Sequence, residues 1–263
     1  MWDTRKRKIL AALTPVLSSQ FSQQPPMITT IAFDADDTLW HNETLYSVTQ
    51  EKFKRLLAPF QDAVTIDRWL YETEMRNLKF FGYGIKGFTL SMIETAIEVT
   101  DGRIGAHEIR QIIDFARDML RAPVELLPGV HETIASLHET YRLMIITKGD
   151  LFDQESKIAR SGIAGYFQHI EIVSDKTPAT YAALLKRSGI RPDEFLMVGN
   201  SLKSDILPVI AAGGRAVYIP YHLTWEHETV TDDEAMTDGY VQLSHIGELP
   251  VYLRSHAAAA SSS

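Results

Sequence analysis

The chain has 263 residues, 45% hydrophobic and 23% charged, enough to bury one large core or two unequal ones. Its 26 Lys and Arg against 34 Asp and Glu give a net charge of −8, which argues against a nucleic-acid surface, because phosphate backbones are met by basic patches. The absence of cysteine excludes disulfides, thiol nucleophiles and cysteine–zinc sites, and no apolar run approaches the roughly 18–20 residues that span a bilayer.

At the N-terminus, RKRKILAALTPVL joins a basic head to a short apolar run, the outline of a targeting segment. Pro15 interrupts that run and no small-x-small cleavage site follows it. Residues 1–26 are therefore expected to be a flexible extension, and the protein cytoplasmic. ITTIAF (28–33) is β-branched and apolar, with prolines before it and carboxylates after, and reads as a buried strand.

Residues 42–122 hold no strand pattern; four helices are expected near 43–58, 66–80, 88–99 and 106–120, with turns at FGYGIKG and TDGRIG. Beyond them, short apolar runs return at 143–147, 169–174, 195–199 and 216–220, alternating with helical patterns at 130–140, 152–161, 178–188 and 204–212. Such alternation predicts βαβ units and a parallel sheet covered on both faces. The fold class is thus α/β, a Rossmann-like parallel sheet core (27–41 and 123–254) with an inserted all-helical cap domain (42–122). A low-complexity tail, 255–263, is expected to be disordered.

Ligands of open parallel sheets sit beyond the carboxyl ends of the strands. Asp34 and Asp36 stand there after the first run, Thr147 and Lys148 after the second, Lys176 after the third, and Asn200 and Asp205 after the fourth. Carboxylates, a hydroxyl, ammonium groups and an amide are what a metal–phosphate site needs. One aspartate can attack phosphorus while the other protonates the leaving oxygen and then activates water. Grouped carboxylates repel one another, and Mg²⁺, which takes oxygen ligands, makes their clustering favourable. Lys176 can offset phosphoryl charge, and Thr147 with nearby backbone N–H groups can bind its oxygens. Asp37 suits a structural role in the turn, Asp150 a helix N-cap, and Ser201 and Ser204 support of the fourth loop. His41 could approach a substrate, and the turn FFGYGIKGF with Lys86 could either close over the site or simply join two helices.

DADDT (34–38) matches the Asp-x-Asp-x-Thr signature of the haloacid dehalogenase-like superfamily. Thr147 in IITKGD, Lys176 in SDKTP and the segment VGNSLKSD resemble its second, third and fourth motifs, in order and over about residues 28–220. The chain looks phosphoglycolate phosphatase-like, and the insertion resembles the superfamily's helical cap of the first type. The resemblance implies Asp34 as phosphorylated nucleophile and Asp36 as acid/base, with Thr147, Lys148 and Lys176 as the candidate phosphate-binding set. It implies Mg²⁺ held by Asp34, Asp36 through its backbone carbonyl, Asn200 and Asp205. Asn200 departs from the pattern, standing where the family usually has an aspartate, so one negative charge is missing. The implied function is a Mg²⁺-dependent phosphatase of a small phosphorylated metabolite, with neither membrane nor nucleic acid as partner. The alternatives are a phosphomutase, or a non-catalytic phosphate-ligand binding protein on the same fold. A dehalogenase fits less well, since a departing halide needs no proton from Asp36.

Overall fold

In the computed structural model, which describes residues 27–231 and 239–261, six strands build one sheet. They are β1 (Thr30–Phe33), β2 (Arg142–Lys148), β3 (His169–Val173), β4 (Phe195–Gly199), β5 (Arg215–Tyr218) and β6 (Tyr240–Gln242). The order is β3-β2-β1-β4-β5-β6 and every pairing is parallel. The chain starts in the middle of the sheet, steps outward through β2 and β3, and returns to the other side of β1 as β4. That reversal opens a crevice beyond the carboxyl ends of β1 and β4. Asp34 follows β1 and Asn200 follows β4. The expected notch is therefore where the motifs lie.

Between β1 and β2 run α1 (Glu43–Leu57), α2 (Ala63–Phe81), α3 (Ile85–Val99) and α4 (Ala106–Arg121). They bury a core of their own, including Phe53, Leu57, Ile66, Leu70, Met92 and Ile112. In α2 the Asp62 side chain caps the first turn by accepting from Thr65 N at 3.0 Å. Its buried residues, Ile66, Leu70, Thr73 and Asn77, recur at helical spacing, but the last two are polar. The inward stripe of α2 thus changes from a packing surface to a polar wall towards its C-terminus.

The remaining helices are α5 (Val130–Leu137), α6 (Leu151–Arg160), α7 (Pro178–Ser188), α8 (Leu207–Ala211) and α9 (Leu249–Ser261). Strand residues alternate between the two sheet faces. Ile31, Phe33, Leu143, Ile145, Leu196 and Val198 pack with α5 and α9 on one face. Ala32, Met144, Ile146 and Met197 pack with Tyr181, Leu184 and Val209 of α7 and α8 on the other.

Three local features differ from expectation. The edge strand β6 comes from a three-residue segment too short to give a period. After β4 the chain makes a π turn, Leu202–Ile206, before α8. The tail expected to be disordered instead continues α9 as far as Ser261; Leu249 and Leu253 anchor that helix and its alanine run favours continuation. The expected extension, residues 1–26, lies outside the described residues.

Candidate active site

Asp34 begins where β1 stops: its N–H donates to Val198 O at 2.9 Å, so the backbone is still tied to β4 as the side chain enters the crevice. Its carboxylate receives the Lys176 ammonium, and Lys176 Nζ also donates to Asp205 Oδ1 at 2.6 Å. All three residues are buried. Burial opposes the charge of Lys176, but the carboxylates of Asp205 and Asp34 outweigh it and hold its pKa above the usual lysine value. Burial pushes Asp34 up to about 7, against the attraction of Lys176 and with repulsion from Asp205 added. Two carboxylates sharing one ammonium leave a net negative centre. Both Asp205 oxygens are engaged, since its Oδ2 accepts from Ser201 N at 3.0 Å. Gly199 makes this packing possible: a Cβ there would lie 2.3 Å from Asp205 Oδ2.

Asn200 faces the same centre. One end of its amide lies 3.2 Å from the Asp36 carbonyl oxygen, 3.3 Å from Asp34 Oδ2 and 3.1 Å from Thr38 Oγ1. With nitrogen at that end, the amide's two N–H bonds have all three oxygens within reach. With oxygen there, three oxygens converge with no proton between the Asp34, Asp36 and Asn200 atoms, an arrangement that a cation relieves. An all-oxygen set suits a hard divalent ion such as Mg²⁺. The donors that fit it are Asp34 Oδ2, the Asp36 carbonyl and Asn200 Oδ1, with Asp205 behind them on Lys176. No group of three or more His, Asp or Glu side chains among the described residues is arranged to hold a metal, which follows from the set's using a carbonyl and an amide.

The Asp36 side chain turns elsewhere. It accepts from Lys157 Nζ at 2.7 and 2.8 Å, from Gln154 Nε2 at 2.8 Å and from Trp40 Nε1 at 2.7 Å. Lys157 and Gln154 come from α6, which runs against the usual pattern. Asp153, Gln154 and Lys157 are buried, while Leu151 and Phe152 are 58% and 69% exposed. Asp37, at φ 62°, occupies the left-handed backbone region, which aspartate tolerates better than most side chains. Its carboxylate accepts from Asn42 N at 2.8 Å and Glu43 N at 3.0 Å, which holds the turn and starts α1, as expected of a structural residue. Asp150 caps α6 through Asp153 N at 3.1 Å and also binds Lys86 at 2.9 Å, linking the α2–α3 turn to the core.

Thr147 is 1% exposed and lines the crevice with its hydroxyl unpartnered among the described residues. Lys148 behaves differently. Its ammonium pairs with Glu228 and donates to Ser204 Oγ at 2.8 Å. Glu228 also accepts from Ser201 Oγ and Ser204 Oγ, both at 2.6 Å. Burial alone would raise its pKa, yet Lys148 and the two hydroxyls hold it down at about 2. The segment carrying Glu228 follows β5 and straps the crevice. Its Trp225 and His227 pack on Tyr83 of the α2–α3 turn, with centroids 6.1 and 6.2 Å away. Its Tyr221 hydroxyl meets His41 Nδ1 at 2.6 Å, so His41 serves the strap.

Together these residues and the polar wall of α1–α3 enclose a cavity of about 180 Å³. It brings together Asp34, Asp36, Thr147, Lys148, Lys176, Asn200 and Asp205. Gln154, Lys157, Glu228 and the wall residues Glu43 and Glu74 were not foreseen. Only Asp153–Lys157, a charge pair four apart on α6, offered a local signal.

The haloacid dehalogenase-like hydrolase family model matches residues 28–213. A solved haloacid dehalogenase-like family hydrolase from Xanthomonas campestris is 41% identical, covers 89% of this chain and 94% of its own, and superposes with a TM-score of 0.79. The glyceraldehyde 3-phosphate phosphatase of Pyrococcus furiosus is 33% identical over 101 residues, 36% of this chain, so the match spans 42% of that relative's length. Human N-acylneuraminate-9-phosphatase is 23% identical over 169 residues, 62% of this chain and 66% of its own. With four motifs converging at the switch point of the sheet, and a family model and a near relative spanning most of the chain, the protein belongs to the haloacid dehalogenase-like hydrolases.

Proposed function

We propose that the protein is a Mg²⁺-dependent phosphatase that hydrolyses a small phosphomonoester through an aspartyl-phosphate on Asp34. The observation that carries this reading is the Asp34 carboxylate, aligned by Lys176 at the switch point, in one cavity with the unpartnered Thr147 hydroxyl. The names of the Pyrococcus and human relatives, both phosphatases of small phosphorylated metabolites, support it.

In this reading Asp34 attacks phosphorus, the bond to the ester oxygen breaks, and Asp36 gives its proton to the departing alkoxide. Asp36 then takes a proton from water as that water cleaves the aspartyl-phosphate. Thr147 and Lys176 receive the phosphoryl oxygens. Lys148 is committed to Glu228 and supports the Ser201–Ser204 loop. Asp34, the Asp36 carbonyl and Asn200 would hold Mg²⁺, which would supply positive charge against the dianionic phosphoryl group. Lys157 and Gln154 hold the Asp36 carboxyl group and set its position at the leaving oxygen. Helices α1–α4, residues 42–122, act as a cap on the core formed by 27–41 and 123–254, and exclude bulk water when the α2–α3 turn and the strap meet.

The test is phosphate release from p-nitrophenyl phosphate and a panel of small phosphomonoesters, with Mg²⁺ and with chelator. Release that needs Mg²⁺ is expected. Conversion of a sugar monophosphate to its isomer would replace this reading with a mutase, and saturable binding without turnover at any Mg²⁺ concentration would replace it with a binding protein.

A further inference from the structure

Three cations line the cavity, and each is already taken. Lys176 is held by Asp34 and Asp205, Lys157 by Asp36 and Asp153, and Lys148 by Glu228. Away from the phosphoryl pole, the described residues therefore offer no free cation to a leaving group that carries a carboxylate or a second phosphate.

The wall formed by α1 and α2 is the reverse, rich in acceptors without donors. Glu43 and Glu74 line the cavity, and neither side chain has a hydrogen bond or ion pair among the described residues. Asn77, 7% exposed, lines the same wall. Its Nδ2 donates to Ser91 Oγ at 3.2 Å and Glu94 Oε2 at 2.8 Å, which leaves its carbonyl Oδ1 unpartnered. Burial, with repulsion from neighbouring carboxylates, pushes Glu43 to about 7 and Glu74 to about 8. Carboxylates enclosed without a counter-charge are costly, and a cation from a ligand removes that cost.

Aromatic rings point the same way independently. Tyr46, Phe88, Tyr83 and Trp225 line the cavity, and ring faces attract ammonium groups. The Lys148 ammonium lies 4.2 Å from the Tyr83 centroid, so one of these rings already receives such a charge.

We propose that the cavity selects phosphomonoesters whose leaving alcohol carries an ammonium group, received by Glu43, Glu74 and the Asn77 carbonyl beside the aromatic rings. The assignment rests on the phosphatase reading and names the substrate class of that same site. It predicts poor use of esters of hydroxy acids.

Three esters of matched size test it: 2-aminoethyl phosphate, ethyl phosphate and 2-phosphoglycolate, compared by kcat/KM with Mg²⁺. The cationic ester is expected to exceed the anionic one by about 100-fold, with the neutral ester between, and Glu74→Gln or Glu43→Gln to shrink that ratio about tenfold. An anionic ester used equally well, or a ratio unmoved in both variants, would overturn the assignment. Hydrolysis of ethyl phosphate without a cationic preference would sink the assignment and leave the phosphatase intact. Absence of turnover with all three would sink the phosphatase reading for this class. Calorimetric binding of 2-aminoethyl phosphate against 2-phosphoglycolate to the wild type would then decide the charge preference: tighter cationic binding upholds it, and equal or reversed binding overturns it.

Discussion

Replacing Glu74 by Gln should stabilise the protein, and increasingly so as pH rises. Glu74 lies in the cavity wall without a partner, and burial lifts its pKa from 4.5 to about 8, with repulsion from Glu43 added. Between those values the folded state binds more protons than the unfolded state. Stability is then greatest below about 4.5 and is lost as pH climbs through about 8. At about 1.4 kcal/mol per pH unit, the full penalty is on the order of 4–5 kcal/mol. Water entering the cavity screens part of it, so about 2–4 kcal/mol is expected. Glu74→Gln keeps the shape and removes the titration. Urea denaturation of both proteins at pH 5, 7 and 9 reads the effect directly. The variant's advantage should grow by that amount between pH 5 and pH 9, with most of the gain below pH 8. Parallel stability curves would refute the claim that Glu74 is held half-buried in the cavity wall and unpaired.

Asn200→Asp should tighten Mg²⁺ binding about tenfold, because it adds a charge where the wild type has an amide dipole, and should destabilise the metal-free protein by repulsion with Asp34; calorimetric titration showing equal or weaker affinity would contradict this. Lys157→Met leaves the Asp36 carboxylate without its cation and should cost about 2–3 kcal/mol in urea unfolding and at least about tenfold in kcat. Wild-type values for both would show that Lys157 does not position Asp36. Gly199→Ala places a methyl group 2.3 Å from Asp205 Oδ2 and should displace that carboxylate from Lys176, with a loss of about 2–4 kcal/mol by thermal unfolding. An unchanged melting temperature would refute the close packing.

The parts of the site that could be read in the sequence are those fixed by local chain geometry. Asp34 and Thr147 stand at or just beyond the ends of β1 and β2, whose apolar runs are buried on both faces, and Lys176 follows the more exposed edge strand β3, whose apolar residues still mark it, so finding the strand finds the residue. The turn residue Asp37 and the cap Asp150 were legible for the same reason, since each bonds backbone within six positions. What escaped depends on contacts distant in the chain. Lys157 is buried only because Asp36, 121 positions away, receives it, so α6 shows polar residues where a core stripe is expected. Glu228 reaches Lys148 across 80 positions from a segment with no periodicity. Glu43 and Glu74 resemble solvent-facing helix residues until the cavity beneath them is known. The strand β6 is three residues long, too short for alternation to mark it.

The central claim is that Asp34 carries the phosphoryl group. Rapid acid quench of the protein turning over a phosphomonoester, followed by mass spectrometry of the peptide spanning residues 28–41, tests it most directly. The account predicts a phosphate-sized mass increase on Asp34 that decays with turnover and is absent in Asp34→Asn, together with activity. Phosphorylation of another residue, or undiminished phosphate release by Asp34→Asn, would contradict it.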